Sequence, residues 1–541
     1  MNAQKEAEYV VVGAGSAGAP VARRLADAGH QVVLLEAGGS AKSIMFKKPG
    51  MIAVVHSDPK LKSRFDWGYY HAPQKHMLDR KIPATRGKLL GGSSSVNGMI
   101  FVRGDRRNFD SWEAEGNAGW GYDDVLKTYK KLESWESGAS DYRGGSGPVS
   151  VIENHDVCDA ARQFAEAGKS AIGLDVNPDY NGERQEGMHI IQESTRDGVR
   201  YSTAQAYLTD APANLTIVTG ATAARIVIEG GRAVGVEVIE NGQRRVIKAS
   251  REVVLSAGAY GSPHLLMLSG VGNAQHLRDH GIDVVADLPV GDNYHDHLFV
   301  PMTYAMDNVP HKGNPIYFAR QLAREMAPKR FGGGNTFMAH SVFEAGGFTR
   351  TSLAAPDAPA DMQFLALPWA YPAPNQDKPI RYKPDQRPAL SVFSTLVQPR
   401  SRGTVRLASA DPTDAPILDP GYLSESADLD VLIEGLEMIR EIMAQPSIAR
   451  HVKLEIEFGP SFKGQALRDE VLNRATTVYH PVGSCRMGVD DLAVVDPQLR
   501  VRGVEGLRVA DASIMPTIIS GNTNAPSIMI GEKCAELILE G

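Results

Sequence analysis

The chain has 541 residues, a net charge of −7, and 43% hydrophobic and 22% charged residues. This composition is that of a globular protein, and the length calls for two domains or one large composite unit. The acidic balance argues against nucleic acid as a partner, and every apolar run is too short for a transmembrane span.

The first predicted elements are a strand, a glycine-rich turn, a helix and a second strand, the order found in dinucleotide-binding units. The turn is Gly13-Ala14-Gly15-Ser16-Ala17-Gly18. Its first glycine allows the tight turn, the second lets the backbone approach a pyrophosphate, and the third lets the helix pack on the strand. Glu36 ends the second strand, where a carboxylate accepts hydrogen bonds from a ribose diol and disfavours NADP. The pattern favours a bound dinucleotide over a purely structural turn and leaves open which one.

A second glycine-rich stretch covers residues 87–98 and has Gly91-Gly92-Ser93-Ser94-Ser95 at its centre. A turn of this kind is rich in backbone donors and suits an anion or a polar ring edge. A flexible loop is the alternative. The apolar residues on both sides, Leu89-Leu90 and Met99-Ile100, indicate that the stretch is buried.

In the middle of the chain, the amphipathic pattern of residues 110–135 predicts a helical segment, with Trp112 and Trp120 packing inward. A boundary follows at the glycine-rich residues 144–148, and β patterning with hairpin turns returns after residue 214. A buried strand that ends on small residues then leaves room for a ligand at its carboxyl end. The expected strands are 215–218, 224–228, 233–238, 245–247 and 253–258.

The second half begins with a proline- and glycine-rich lobe at 308–389, followed by a strand at 401–407. A helix is expected over 428–443, capped by Ser426 or Asp428. The three cysteines, Cys158, Cys485 and Cys534, are far apart, which favours a reducing compartment over a disulfide framework.

Three stretches together resemble the glucose-methanol-choline (GMC) oxidoreductases, FAD-dependent enzymes that oxidise alcohols. The N-terminal unit ends in Leu35-Glu36-Ala37-Gly38, residues 87–110 fit the first family signature, and residues 258–272, beginning Gly258-Ala259-Tyr260-Gly261-Ser262-Pro263, fit the second. The resemblance extends from Tyr9 to the C-terminus.

The resemblance implies an α/β fold (α+β overall), with a Rossmann-like FAD-binding domain and a β-sheet-based substrate-binding domain. The FAD-binding domain is expected to be discontinuous, made of residues 1–152, 198–300 and 477–541. The substrate-binding domain takes residues 153–197 and 301–476.

The family's flavin contacts carry over to matching positions of this chain. Ala223 reads the adenine edge through main-chain atoms, and Asp511 lies on the strand whose acid contacts the flavin side chain. Val96 stands where some relatives attach FAD through a histidine, so non-covalent FAD is expected. The expected contacts are Gly13, Gly15, Ser16, Ala17, Gly18, Glu36, Ala37, Trp67, Arg86, Gly91, Gly92, Ser93, Asn97, Gly98, Met99, Ile100, Ala223, Ala257, Tyr479, Asp511, Ala512 and Asn522.

The expected catalytic pair is His480 and Asn524. The pKa of an unperturbed histidine, about 6.5, suits it to accept an alcohol proton. An amide cannot act as a base, so Asn524 would hold the alcohol oxygen by a hydrogen bond. The ligand-like run at 292–297 is expected to form a family turn rather than a metal site. Cys485 is expected to be a packing residue rather than a nucleophile.

The leading interpretation is oxidation of an alcohol to an aldehyde or ketone. Alternatives are a hydroxynitrile-lyase-like enzyme that keeps FAD without net redox chemistry, a fatty-acid photodecarboxylase, which the His/Asn pair disfavours, and a catalytically silent flavin-binding protein. Choline is disfavoured because Ala305 is placed where choline enzymes keep a carboxylate, although a cation–π cage could partly substitute. Candidate pocket walls are Phe364, Trp369 and Tyr371, and residue type alone favours the alternative that these aromatics pack in the core.

The sequence leaves the electron acceptor open between oxygen and a quinone or artificial dye. It favours a cytoplasmic protein, as a monomer or homodimer, and leaves open peripheral contact with a membrane.

Overall fold

The computed structural model describes residues 6–57, 59–327, 334, 336–371, 386–456, 458–459 and 461–541. Part of the N-terminal segment 1–8 and part of the expected lobe at 308–389 lie outside these ranges. The described chain forms two seven-stranded sheets flanked by helices, and the largest hydrophobic core surrounds the first sheet.

The first sheet is mixed. The strand Glu6–Val12 lies between Val32–Glu36 and Gln243–Leu255 and runs parallel to both. Leu215–Thr219 and Leu507–Val509 join in parallel, and a hairpin adds Ala221–Glu229 and Arg232–Glu240 in antiparallel pairing. The carboxyl ends of the parallel strands therefore meet at one edge, where ligands bind in sheets of this class.

The expected strands 245–247 and 253–258 are one continuous strand, Gln243–Leu255. Lys248, Ser250 and Arg251 interrupt the apolar pattern, but they are exposed and the backbone pairing continues past them. The separate prediction was wrong because a charged, solvent-facing row does not end a strand.

The second sheet is antiparallel throughout. In spatial order its main strands are Val452–Glu455, Leu298–Met306, Ala389–Leu396, Met362–Leu367, Ala345–Thr349 and Gly187–Ile190, and Thr476–Thr477 also pairs with Leu298–Met306. One face packs on the helices Ser426–Met443 and Asp159–Ile172, which buries a second hydrophobic core. The opposite face turns toward the first sheet.

Smaller sheets and the helices complete the fold. The short paired strands are Glu133–Trp135, Val149–Glu153, Gln192–Glu193, Thr195–Arg196, Val199–Arg200, Val271–Gly272, Ala286–Asp287, Thr404–Arg406 and Ile417–Asp419. The α-helices are Gly18–Asp27, Ile44–Lys47, Ile52–Ser57, Pro59–Lys62, Arg106–Ala114, Tyr122–Leu132, Asp159–Ile172, Thr203–Leu208, Gly258–Leu268, Ala274–Asp279, Pro315–Met326, Ser426–Met443, Pro446–Ala449, Gln465–Arg474 and Asn524–Glu540. Within the described ranges, none has the length and apolar character needed to cross a membrane.

Two helices occupy the expected helical segment at 110–135, and the inward packing of Trp112 and Trp120 is confirmed, since both are fully buried. The helix expected from 428 begins at Ser426 and follows Glu425, whose side chain makes no cap bond. Asp428 is not a cap; it accepts hydrogen bonds from the backbone N–H groups of Arg400 and Ser401.

A buried ion-pair network holds the segment that follows the second glycine-rich stretch. Glu133 is fully buried and lies 2.8 Å from both Arg103 and Arg143. Arg143 also pairs with Asp179 at 2.7 Å. Because Arg103 belongs to the stretch just after Ile100, the network anchors one wall of the cavity described below.

Replacing Glu133 by alanine should lower the free energy of unfolding by about 3–5 kcal/mol, because two buried guanidinium groups lose their shared carboxylate. Urea denaturation of the intact protein measures this loss. Asp123→Ala is the matched control, since Asp123 pairs with Arg106 on the surface and its removal should leave the free energy of unfolding almost unchanged. Equal shifts for the two variants would contradict a structural role for the network.

Candidate active site

A cavity of about 610 Å³ lies between the carboxyl ends of the first sheet and the inner face of the second. It is lined by residues from both glycine-rich stretches, from the loop that contains His480, and from the loop before the C-terminal helix. Of the residues predicted to contact a cofactor, all but Gly18 and Gly91 line it. The cavity therefore has the volume and the lining that a dinucleotide requires.

The first glycine turn is shaped by close backbone contacts. A Cβ atom on Gly13 would lie 2.3 Å from the Ser256 carbonyl oxygen, and one on Gly18 would lie 1.9 Å from the Gly13 carbonyl oxygen. Gly18 thus serves helix packing, as its position in the turn predicts, and lies behind the cavity. Gly15 faces the open side, where the nearest atom to a Cβ would be the Gly92 Cα at 4.0 Å.

Glu36 lies at the end of its strand with its carboxylate against the turn. One oxygen accepts the N–H of Ala14 at 3.1 Å and the other accepts the N–H of Gly38 at 2.8 Å. Burial raises the pKa of Glu36 to about 7, and these two hydrogen bonds together with Lys88 oppose the rise. Remaining lone pairs face the cavity that the residue lines.

Asp511 joins the C-terminal strand to the second family signature. Its carboxylate accepts the N–H of Gly258 at 2.8 Å and the hydroxyl of Ser262 at 2.5 Å. It also accepts the N–H of Ser513 at 2.8 Å. These bonds place the start of the Gly258–Leu268 helix at the cavity, beside Ala257 and Ala512.

A hydrogen-bond chain determines which nitrogen of His480 carries its hydrogen and which keeps its lone pair. His297 Nε2 lies 3.0 Å from the Val397 carbonyl oxygen, which can only accept, so this nitrogen carries the hydrogen. In the neutral ring His297 Nδ1 is then an acceptor, and it lies 3.0 Å from His480 Nδ1. His480 must therefore donate through Nδ1 and keep its lone pair on Nε2.

His480 Nε2 lies at the cavity, 3.2 Å from the amide nitrogen of Asn522. The amide oxygen of Asn522 accepts from Gln363 Nε2, also at 3.2 Å, which orients the amide with its nitrogen toward the histidine. Burial lowers the pKa of His480 well below its usual range, and the neighbouring His297 and Arg86 lower it further. At neutral pH the ring is therefore uncharged and available as a proton acceptor.

The structure places Asn522, not Asn524, beside His480. Asn524 begins the C-terminal helix, and its side-chain oxygen accepts the Ser16 hydroxyl at 2.7 Å. The two asparagines lie on either side of the helix start and point to different ends of the cavity lining. Sequence spacing could not separate them, because they are two residues apart and both line the cavity.

The ligand-like run at 292–297 forms the turn that holds the His480 loop. Asp296 is buried and accepts the backbone N–H of His480 at 2.7 Å. Its other oxygen accepts the hydroxyls of Tyr422 at 2.7 Å and Thr477 at 2.6 Å. Tyr479, between Thr477 and His480, has φ near +66°, a strained conformation for a residue with a side chain. Within the described residues, no group of three side chains in the molecule is arranged to hold a metal ion.

Beyond His480 the cavity is bounded by an apolar wall. The second sheet and the segment after it contribute Phe299, Leu365, Leu367, Trp369, Tyr371 and Phe393. Trp369 and Tyr371 line the cavity as expected, but the placement of Phe364 was wrong. Phe364 faces the opposite side of its strand and packs on Phe164 with ring centroids 6.4 Å apart.

The placement of Ala305 also differs from the sequence expectation. Ala305 lies within the strand Leu298–Met306, paired with Ala389 and Leu454, and it does not line the cavity. The absence of a carboxylate at this position therefore has no bearing on whether choline binds. Val96 lines the cavity at the position where a covalent histidine attachment was considered.

Sequence reasoning missed His297, Gln363, Leu365 and Leu367. The first lay in a run interpreted only as a possible metal site or family turn. The other three occupy alternate positions of one strand. Because alternate residues of a strand share a face, this spacing was the sequence signal that could have grouped them.

The geometry can be compared with known proteins. The N-terminal GMC oxidoreductase domain model matches residues 7–299, and the C-terminal one matches residues 399–531. The chain belongs to the GMC oxidoreductase family. Its fold is the mixed α/β fold of this family.

Two GMC oxidoreductases are similar in sequence to this protein over almost its whole length. An alcohol dehydrogenase [acceptor] from Pseudomonas putida is 39% identical over 98% of this chain and 95% of its own length. An oxygen-dependent choline dehydrogenase from Rhizobium johnstonii is 39% identical over 99% of this chain and 96% of its own.

Two solved structures have the same overall fold as this GMC oxidoreductase. Pyridoxine 4-oxidase from Mesorbium loti superposes with a TM-score of 0.86, with 29% identity and 99% of each chain covered. A formate oxidase from Aspergillus oryzae, studied for the effect of a mutation on FAD modification, gives a TM-score of 0.89, with 26% identity over 100% of this chain and 99% of its own.

Proposed function

We propose that this enzyme oxidises an alcohol to an aldehyde or ketone, with non-covalently bound FAD and with His480 as the general base. The observation that carries the proposal is the hydrogen-bond chain that leaves the Nε2 lone pair of a neutral His480 at the cavity. Family membership and the alcohol dehydrogenase named among the relatives support the reaction class.

The residues of the cavity fit FAD. Glu36 presents carboxylate lone pairs for a ribose diol, and the turn of Gly13 and Gly15 leaves room for a pyrophosphate at a helix N-terminus. Gly92 and Asn97, from the second glycine-rich stretch, and Asp511 also line the cavity. Val96 supplies no nucleophile for a covalent bond at the position it lines, which supports the non-covalent assignment.

Bound in this cavity, FAD would supply the hydride acceptor for the carbon that bears the hydroxyl group. His480 takes the hydroxyl proton through Nε2, while the Asn522 amide N–H donates to the alcohol oxygen as negative charge develops there. His297 holds the Nδ1 hydrogen of His480 and so prevents the tautomer in which Nε2 would be blocked. Asp296 fixes the backbone of the same loop.

The lyase alternative is not favoured. The relatives reported above are named as dehydrogenases, and the solved structures are named as oxidases. A base that removes a hydroxyl proton would serve either reaction, so the distinguishing property is reduction of the flavin by an alcohol.

We also propose that the electron acceptor is oxygen or a quinone. The enzyme is proposed to be cytoplasmic and to be a monomer or a homodimer. The three cysteines are unpaired, as expected in a reducing compartment. Reoxidation of the reduced enzyme by oxygen or by a quinone analogue, followed in the same spectrophotometer, assigns the acceptor.

Replacing His480 by alanine should slow flavin reduction by about 10²- to 10⁴-fold, the usual contribution of a positioned general base. Anaerobic stopped-flow mixing with alcohol measures the rate, and the absorbance spectrum before mixing confirms that FAD is still bound. A variant that holds FAD and reduces it at close to the wild-type rate would remove His480 as the base.

Asn522→Ala and Asn524→Ala should have different effects. Asn522 contacts the base, so its loss should lower the maximal rate of flavin reduction by at least tenfold with little loss of FAD. Asn524 binds Ser16 of the glycine turn, so its loss should mainly weaken FAD retention. Measuring both quantities for both variants tests the assignment, which a reversed pattern would overturn in favour of Asn524.

FAD binding to the apoprotein should weaken as the pH falls below about 7, by up to tenfold per pH unit, because only the ionised Glu36 accepts two ribose hydroxyls. Burial lowers the pKa of the cavity residues His56 and His264 to about 4, below this window. Fluorescence titrations between pH 5.5 and 8 measure the affinity.

The direction of this pH dependence follows from the raised pKa of Glu36. Below about pH 7 the carboxyl group is protonated, so it no longer accepts both ribose hydroxyls. Glu36→Gln should abolish the pH dependence in this window. Glu8→Gln, which removes a carboxylate remote from the cavity, should retain it. A Glu36→Gln variant with the wild-type pH profile would show that another group is responsible.

A further inference from the structure

The apolar wall begins next to the proposed base and continues along one strand. Gln363, Leu365 and Leu367 occupy alternate positions of the strand Met362–Leu367, so they lie on the same face. Gln363 contacts Asn522, and the two leucines line the cavity. At roughly 3.3 Å per residue, this face extends about 13 Å from Gln363 to Leu367. The body of a bound alcohol would lie along it.

The neighbouring strands continue the wall with aromatic rings that pack on one another. Phe299 and Phe393 stack with centroids 4.2 Å apart, and Tyr371 meets Phe393 edge-on at 5.0 Å. Each of the two phenylalanines therefore has one face covered by the other. An aromatic cage for a quaternary ammonium group instead needs several ring faces turned toward the cation.

The wall carries no charged side chain among the described residues. Among the residues that the structure describes, the carboxylates that line the cavity are Glu36, Asp66 and Asp511, and each is engaged away from the wall. Glu36 accepts the backbone N–H groups of Ala14 and Gly38, and Asp511 accepts those of Gly258 and Ser513. Asp66 accepts the backbone N–H groups of Gly68 and Arg86 and pairs with Lys62. A cationic alcohol would lose its hydration here without gaining an ionic partner.

We propose that the substrate is an uncharged alcohol with an apolar body, aliphatic or aromatic, that lies against the wall formed by Phe299, Leu365, Leu367, Trp369, Tyr371 and Phe393. This inference rests on the proposed oxidation of alcohols at His480 and names its substrate class. Apolar area buried on the wall supplies the binding energy, so reactivity should rise with the length of the tail.

The decisive experiment compares two alcohols of nearly equal shape that differ in charge, choline and 3,3-dimethylbutan-1-ol. Anaerobic flavin reduction of the holoenzyme is measured over a range of each concentration, together with ethanol, butan-1-ol, hexan-1-ol and benzyl alcohol. The neutral isostere should give a second-order rate constant at least tenfold larger than choline. From ethanol to hexan-1-ol the constant should rise about fourfold per added methylene group.

The outcomes separate the substrate class from the reaction. Reduction by choline as fast as or faster than by its isostere would overturn the apolar class and leave alcohol oxidation intact. A flat response to chain length would overturn it as well. If none of these alcohols reduces the flavin, the proposed function fails and the substrate class fails with it.

Two variants on one strand test the wall itself. Leu367→Ala should lower the rate constant for decan-1-ol at least tenfold and leave that for ethanol within about twofold, because a ten-carbon tail spans the distance of about 13 Å to this residue and a two-carbon tail does not. Phe364→Leu is the control, since Phe364 lies on the opposite face in the second core. A loss for both alcohols in Leu367→Ala, or the same chain-length selectivity in both variants, would contradict the proposal.

Discussion

The site depends on one hydrogen bond to a carbonyl oxygen. The Val397 carbonyl oxygen can only accept, so His297 must donate to it through Nε2. Because a neutral imidazole carries one N–H, the direction of the next hydrogen bond, between His297 and His480, is then fixed. His480 then carries its hydrogen on the buried side and its lone pair on the cavity side. A carbonyl oxygen just after the strand Ala389–Leu396 thus decides the protonation of a base that belongs to the C-terminal part of the chain.

The two sheets contribute different parts of the site. The first brings the carboxyl ends of parallel strands together, where Glu36 and the glycine turn meet the cavity. The second presents one face to a helix layer and the other to the cavity, so strict alternation along its strands separates structural residues such as Phe364 from wall residues such as Leu365. The buried Asp296 joins the two parts, because it binds the His480 loop and lies next to His297 in the chain.

Much of the fold could be predicted from the sequence, because its strongest signals are local. The glycine turn, the strand before it and the acid at Glu36 are set by short-range backbone geometry, and the family signatures identify the rest of that domain. The division into domains stays a prediction.

The finer features of the site could not be predicted because they depend on contacts between distant segments. Nothing in the order of Asn522 and Asn524 shows which one faces His480; the start of the C-terminal helix decides it. Similarly, Gln363 becomes part of the site only because its strand register brings it to Asn522. The strand Gln243–Leu255 was mispredicted for a local reason: exposed charged residues in its middle made one regular strand look like two.

The central claim is that His480 presents an unprotonated Nε2 to the cavity because His297 holds its Nδ1 hydrogen. Neutron diffraction from crystals of the oxidised holoenzyme at pH 7 tests it directly, since exchanged deuterons are visible on imidazole nitrogens. We expect deuterons on His480 Nδ1 and on His297 Nε2, and none on His480 Nε2. A deuteron on His480 Nε2 with Nδ1 bare would contradict the account.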